Sequence, residues 1–483
     1  MTGPTRRLAF QLRVICWTAL VVMIPVVLYF TTEGTWDLTK QRGDGGWSGG
    51  FFMAQAESML VHARLDVDPR DIQSECFERD SLCYGYFGVT PSLVRIPFLG
   101  ILRYLHSALT PLYLGIAVLV AYWAALQLLQ RSLREWTGPA PRRALVLGYA
   151  IAGALALGPG GTLLFVTRPA VYEEASAWGV AFVLLALNHV WAWCAGKARS
   201  LIPAVLFGIA GANARPTAAT ACGVLGLVAA VWCGRYRSSG RVLVAALCLS
   251  VLPGLTAAGV FWLKLRTPIP SVLLEKQVQE APHWRAILQR NGGRTAGLMF
   301  TPTALAAYFR PDAVTRHPDW PFFDFRFPQE PILWVPPLRT GGAYVERVAS
   351  VTATMPLPWI VTLAVAIWLG VEAWRLADTD RRRGASSSLS PVLTSEQWIL
   401  AAGLLTSAAA MVALTVTTVG ITNRYLSDFF STSTVGVALG HRVILPFFNR
   451  RPIVGATAGL VALLLVGWSI VVTFSLATRL VFE

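Results

Sequence analysis

Residues 14–30 read Val-Ile-Cys-Trp-Thr-Ala-Leu-Val-Val-Met-Ile-Pro-Val-Val-Leu-Tyr-Phe, an uncharged run with Arg6, Arg7 and Arg13 ahead of it. A hydrocarbon core about 30 Å thick takes about 20 apolar residues of helix, so the run reads as a membrane span. Tyr29-Phe30-Thr31-Thr32 offers no small-x-small cleavage pattern, so the span reads as an uncleaved signal anchor with its N-terminus inside. Working outward, ten similar stretches follow. The set runs near Val14–Phe30, Pro111–Leu129, Ala144–Val166, Val171–Trp193, Leu201–Asn213, Thr217–Trp232, Val242–Leu263, Met355–Trp374, Trp398–Val419, Tyr425–Ile444 and Ile453–Thr478. Ser92–Leu109 is also apolar, but Arg95, Arg103 and His106 interrupt it, so it reads as an interfacial or re-entrant helix. The expected fold is an all-α polytopic membrane protein of about eleven spans, forming a single integral-membrane domain over residues 1–483.

Composition agrees. Hydrophobic residues make up 54% of the chain and charged residues 14%, against about 25% charged in soluble domains. A soluble enzyme, a disordered chain and a disulfide scaffold are excluded, and solid apolar runs argue against a β-barrel.

The net charge of +15 has a topological reading. The N-terminal tail and the short loops near 130–143, 195–200, 233–241, 375–397 and 441–452 hold 19 of the 41 basic residues against few acids, while the other face is close to balance. That is the positive-inside pattern, and it makes nucleic-acid binding unnecessary. The N-terminus falls inside and Glu483 outside. The bias of 37 Arg to 4 Lys, with abundant Ala and Gly, suggests a GC-rich bacterial source and hence a bacterial plasma membrane.

Two long segments, 33–110 and 264–354, remain outside, which places the working face there. The first opens with Gly43-Asp44-Gly45-Gly46-Trp47-Ser48-Gly49-Gly50. Asp44 reads as a general base or hydroxyl-binding carboxylate, or as a turn residue. A helix is expected near Gly50–Ala63, with Phe52, Ala56, Met59 and Leu60 on one face. Asp66 and Asp68 fit a solvated turn better than a cation site. Cys76 and Cys83 share this loop, where an oxidising compartment permits a disulfide. The Tyr84-Gly85-Tyr86-Phe87-Gly88 run suits a sugar platform or an interfacial aromatic belt.

Further polar residues gather at the outer ends of spans, where ionisable groups are expensive and default to functional candidates. Arg168 precedes Glu173 and Glu174, as a substrate or lipid-phosphate site or as an Arg168–Glu173 pair. Arg215, in Asn213-Ala214-Arg215-Pro216, has almost no loop in which to reach water. Arg424 and Asp428 are four apart at the start of the tenth span, which allows a local pair. Guanidinium groups match phosphate oxygens with paired hydrogen bonds, so Arg168, Arg215 and Arg424 together suit an anion at membrane depth. The Asp319–Phe325 segment reads as a packed lid or a lipid-facing surface. No Cys/His spacing suggests a metal site, and GxxxxGK[ST], HExxH and GxSxG are all absent. The inner loops are too short for nucleotide-sugars, so an activated donor would arrive as a lipid.

The order of these features resembles the GT-C superfamily of integral-membrane glycosyltransferases. The resemblance rests on an N-in first span, an early loop acid at Asp44, the amphipathic Gly50–Ala63 helix, Tyr86-Phe87-Gly88 to Pro91 before an interfacial helix, many spans and a large outer loop. It implies a polyprenyl-phosphate-linked sugar donor, a glycan or glycolipid acceptor on the outer face, and inversion at the anomeric carbon. It makes Asp44 the base on the acceptor hydroxyl and Arg215, Arg424 and Arg168 the donor-phosphate ligands, with Glu173, Glu174, Tyr86 and Asp428 as substrate contacts. It names no certain cofactor, and a divalent metal is compatible with it but not indicated by the sequence. Gly45 after Asp44 departs from the paired acids of some protein mannosyltransferases. No long soluble segment follows the last span, which argues against an oligosaccharyltransferase. A transporter or flippase of lipid-linked glycans and a non-catalytic assembly protein are the competing readings.

Overall fold

The computed structural model describes residues 3–38, 50–72, 77–85, 87–104, 109–134, 143–166, 171–197, 200–236, 240–268, 289, 292–326, 344–345, 348–381, 395–418, 420–422 and 425–482. Its principal helices are α1 (Gly3–Thr31), α2 (Phe51–His62), α3 (Thr90–Arg95), α4 (Thr110–Arg134), α5 (Arg143–Leu157), α6 (Val171–Cys194) and α7 (Leu201–Ala212). They continue as α8 (Pro216–Tyr236), α9 (Gly240–Leu265), α10 (Pro356–Arg381), α11 (Ser395–Thr415), α12 (Leu426–Arg450) and α13 (Pro452–Phe482). Each of the eleven apolar stretches forms one helix, and α2 and α3 belong to the first outer loop.

Eight of these helices are long and apolar enough to cross a membrane. Large apolar side chains such as Val21, Val22, Leu206, Leu255, Ile367 and Leu464 face outward, as they do where hydrocarbon is the solvent. The other three depart from the simple reading. The third stretch, expected to reach Val166, stops at Leu157, because Gly158-Pro159-Gly160-Gly161 breaks the helix and a 3-10 turn at Leu163–Phe165 follows. At 1.5 Å per residue, α5 and α7 are about 22 and 18 Å long, too short to span alone. The third, α12, is long enough but too polar.

α12 is the centre of the bundle. It packs against α4, α5, α6, α10, α11 and α13, and every residue from Leu426 to His441 is buried. A helix buried on all sides is usually hydrophobic all round, yet this one carries Ser427, Asp428, Ser431, Thr432, Ser433 and Thr434. Its small side chains let neighbours approach closely, as in other membrane interfaces. A methyl group at Gly436 would overlap Thr362 of α10, and one at Gly440 would overlap Val361 of α10 and the Tyr149 hydroxyl of α5.

The described residues between α1 and α4 include further small elements besides α2 and α3. Among them, β1 (Phe77–Arg79) and β2 (Leu82–Tyr84) form an antiparallel hairpin with Glu78 opposite Cys83. Asp80 and Ser81 take positive φ at the turn, the combination that matches strand twist. The interfacial helix expected over Ser92–Leu109 is broken into α3, a 3-10 turn at Ile96–Phe98 and a short helix at Leu99–Tyr104. In the second outer loop a helix at Thr301–Phe309 is followed by the hairpin β3 (Val314–Arg316) and β4 (Phe323–Phe325). A two-residue strand, β5 (Tyr344–Val345), pairs in parallel with β6 (Gly420–Ile421) just ahead of α12. The Tyr308 hydroxyl donates to the Thr422 carbonyl and accepts from its N–H, at 3.2 and 3.1 Å. In the Asp319–Phe325 segment Phe325 is buried and Phe323 packs on Trp468, while Trp320 and Phe322 are exposed.

The close approach at α12 makes a test. Gly436→Ala forces α10 away from α12 and is expected to cost about 1–3 kcal/mol, in the range of overpacked cores. Gly459→Ala, where nothing lies within 4 Å of the added methyl, is the control. Melting temperatures of the two purified variants in detergent should separate, with only Gly436→Ala lowered.

Candidate functional site

The start of α6, the end of α9 and the α7–α8 junction meet the described residues between α1 and α4, and buried charges hold the arrangement together. The strongest contact is Arg95 of α3 with Glu174 of α6. Both side chains are 0% exposed, and Nη1–Oε1 and Nη2–Oε2 are 2.5 and 2.8 Å apart. Nη1 also donates to the Pro91 carbonyl at 3.0 Å. The guanidinium lies over the Tyr113 ring, 4.1 Å from its centroid, and near Phe52 of α2. A bidentate pair with aromatic faces and a carbonyl around it compensates much of the desolvation that burial imposes.

Three more contacts fasten the loop. Lys264, buried in the last turn of α9, donates to the Phe87 carbonyl at 2.6 Å and sits above the Phe51 ring. Ser92 donates to Gln55 at 2.7 Å, tying α3 to α2. The Thr90 N–H and hydroxyl bond the Asn213 and Ala210 carbonyls of the α7–α8 junction. Gly88 permits that contact, since a methyl there would overlap the Asn213 backbone carbonyl. Around these bonds Phe51, Phe52, Val67, Cys83, Phe87, Val171 and Ala175 form a small apolar core, separate from that of the bundle. The face of α2 differs from expectation: Phe51, Phe52, Gln55, Ala56 and Ser58 are buried, and Leu60 is exposed.

Arg215 turns into the protein. Its Nη2 bonds Asp428 Oδ2 and its Nη1 bonds Ser427 Oγ, both at 2.8 Å. The guanidinium also lies over the Tyr425 ring. Thr415 of α11 donates to the same Asp428 oxygen, while Asp428 Oδ1 has no hydrogen bond among the described residues. Thus the start of α8, the end of α11 and the start of α12 are joined through one carboxylate. Among the described residues the cation that Asp428 meets is Arg215; Arg424, its expected local partner, lies outside them.

Asp44, Tyr86, Arg168, Arg424 and Cys76 lie outside the described residues. Glu173 and Glu174 occupy the first turn of α6, where carboxylates favour the positive end of the helix dipole. Cys83 is disulfide-bonded, and Cys16, Cys194, Cys222, Cys233 and Cys248 are free. No group of three or more His, Cys, Asp or Glu among the described residues is placed to hold a metal. Asp66 and Asp68 are each taken by an arginine, Arg64 and Arg70, rather than facing each other. Those hydrogen bonds lower the Asp66 carboxyl below its ordinary range and bring Asp68 to about 2.

Sequence reasoning missed Arg95 and Lys264 as members of this site. The signal for Arg95 was available: a cation inside an apolar stretch needs a buried partner, and the consecutive Glu173 and Glu174 supply more carboxylates than a solvated helix start requires. Nothing in the local sequence separates Lys264 from an ordinary lysine ending a span.

No family model matches the chain, and no curated protein matches it. Among solved structures it is similar to the oligosaccharyltransferase of Archaeoglobus fulgidus in the apo form, with 14% identity and a TM-score of 0.48. The same enzyme tethered to an acceptor peptide gives 15% and 0.49. In complex with an inhibitory peptide and a dolichol-phosphate it gives 13% and 0.47. In each case 96% of this chain is covered, but only 55–56% of the other, so the chain spans little more than half the length of these structures. At that level the likeness says nothing of what this chain does.

Two outcomes are expected. Removing one partner of a buried ion pair costs about 3–5 kcal/mol, whereas replacing both with apolar groups costs far less. Arg95→Met and Glu174→Met should therefore each lower the melting temperature strongly, and the double variant should recover much of the loss. A double variant as unstable as the sum of its parents would contradict the pairing. The second outcome concerns pH. Asp66 and Asp68 titrate lower in the folded loop than the ordinary 3.8, so their pairs contribute fully above that value and are lost as pH falls through the folded values. Hydrogen exchange of residues 64–72 should accelerate below about pH 4 relative to that of the α4 amides.

Proposed function

We propose that the chain is an inverting glycosyltransferase of the GT-C type, moving a sugar from a polyprenyl-phosphate donor to a glycan or glycolipid acceptor of the bacterial cell envelope, on the extracytoplasmic face of the plasma membrane. One observation carries the reading most. The loop that bears Asp44, seven residues ahead of Phe51, is docked by the buried Arg95–Glu174 pair and Lys264 onto the start of α6 and the end of α9, and by Thr90 onto the α7–α8 junction that carries Arg215. A loop merely covering a bundle would have no use for a buried Arg, Lys and Glu; a loop presenting a base at a fixed place does.

In this reading Asp44 accepts the proton of the acceptor hydroxyl as its oxygen attacks the anomeric carbon. The bond from that carbon to the phosphate oxygen breaks, and the polyprenyl phosphate leaves with the electron pair. Both demands, an activated hydroxyl and a stabilised leaving anion, are those that a carboxylate and guanidinium groups answer. Arg424 and Arg168 hold the phosphate. Arg215 stands with them, but its bonds to Asp428 and Ser427 make it also the residue that sets the start of α12, directly after Arg424 and Tyr425. Glu173 and Tyr86 contact sugar or acceptor, and Glu174 anchors Arg95. Cys76 pairs with Cys83 and closes the hairpin of the same loop.

One observation favours a second reading, a transporter of lipid-linked glycans. Ser431, Thr432, Ser433 and Thr434 are buried in α12, and their hydroxyls have no hydrogen bond among the described residues. A polar row inside the bundle is what a pathway through it would need.

Envelope glycans and glycolipids of a deletion strain, compared with strains restored by wild type or by Asp44→Asn, decide between them. The transferase predicts a missing sugar that wild type restores and Asp44→Asn does not. Full restoration by Asp44→Asn would remove Asp44 as the base. Unchanged sugar composition with accumulated lipid-linked intermediates would favour the transporter.

A further inference from the structure

The inner ends of α1 and α4 enclose a cavity of about 190 Å³, on the side the charge pattern places in the cytoplasm. Arg13, Trp17, Trp123, Gln127, Gln130 and Arg134 line it. Where its two helices meet, the Cys16 thiol donates to the Leu126 carbonyl at 3.8 Å. Three features of its lining point the same way. Arg13 and Arg134 both line the groove, so two like charges share it, and neither makes an ion pair among the described residues. Other arginines nearby are engaged by protein: Arg131 donates to the Asn188 carbonyl and Arg143 to Gln11 Oε1. Second, Gln130 is 5% exposed, lines the cavity, and its Nε2 has no hydrogen bond among the described residues. A buried amide without a partner is costly and is normally satisfied by something in the site. Third, Trp17 in its lining is 57% exposed, and an indole suits the level of the headgroups.

We infer that this groove binds the headgroup of an anionic phospholipid from the inner leaflet. The phosphate sits between the Arg13 and Arg134 guanidinium groups, relieving their repulsion. The Gln130 amide donates to a phosphate or glycerol oxygen, and an acyl chain runs along Trp17. The occupant is a lipid and not a free anion because the exposed Trp17 at the groove offers an apolar surface along which an acyl chain can lie. The site clips α1 to α4 at the inner surface and is independent of the outer-face chemistry.

The test uses the purified full chain in detergent, with its melting temperature followed as phosphatidylglycerol, phosphatidylcholine or inorganic phosphate is added. Phosphatidylglycerol should raise the melting temperature, and the other two should not. Arg13→Gln/Arg134→Gln should weaken phosphatidylglycerol binding about tenfold or more, since each basic residue near an anionic lipid contributes measurably to its capture. Gln130→Leu keeps both charges and fills the polar end of the groove. It should weaken binding several-fold, and it decides the matter alone if the double variant does not fold. Wild-type affinity in the variants that fold would overturn the site. Equal stabilisation by phosphatidylcholine would overturn its preference for an anion, and equal stabilisation by inorganic phosphate would overturn the lipid.

Discussion

The outer half of the molecule depends on a charge that cannot be left alone. Arg95 lies in a stretch apolar enough to enter the membrane interface, and at 0% exposure it has no access to water. Only an opposite charge in the right geometry makes that tolerable, and Glu174 at the start of α6 provides it. Once the pair forms, the placement of α3 against α6 is set, and α2 follows through Ser92 and Gln55. The hairpin follows through the apolar core that Cys83 and Phe87 share with Phe51 and Phe52. A hydrophobic contact would hold the same elements together, but it would permit sliding. A bidentate pair does not.

The same logic recurs deeper in the bundle. Asp428 gathers Arg215 from the α7–α8 junction and Thr415 from α11, so the start of α8, the end of α11 and the start of α12 register on one carboxylate. Below it α12 uses small residues, and Gly436 and Gly440 bring α10 and α5 into close contact. In hydrocarbon there is little hydrophobic force between helices, so close packing and polar contacts decide their arrangement. The central helix is therefore the least apolar of the long ones.

Much of this was legible in the sequence. Apolar runs located all eleven bundle helices, because a helix within a membrane bundle is low in charge whether it faces lipid or, like α12, other helices. The limits of the reading have physical causes too. The third stretch looked like a full span because Leu163, Leu164 and Phe165 are apolar, but Gly158-Pro159-Gly160-Gly161 ends the helix before them. Leu60 looked buried from its spacing, whereas the face of α2 that packs is set by Phe51 and Phe87. Glu174, Arg215 and Asp428 were legible as ionisable groups in costly places. Their partners were not: Arg95 is 79 residues from Glu174, and Arg215 is 213 from Asp428, and no local pattern reports such pairings.

The central claim is that the docked first loop serves a transfer of sugar away from a lipid phosphate. The most direct measurement reconstitutes the purified chain in liposomes with lipid-linked sugars and acceptor lipids extracted from cells lacking it, and follows free polyprenyl phosphate by mass spectrometry. The account predicts that polyprenyl phosphate appears with wild type and not with Asp44→Asn, in step with a glycosylated acceptor. Movement of intact lipid-linked sugar across the bilayer, with no polyprenyl phosphate released, would contradict it.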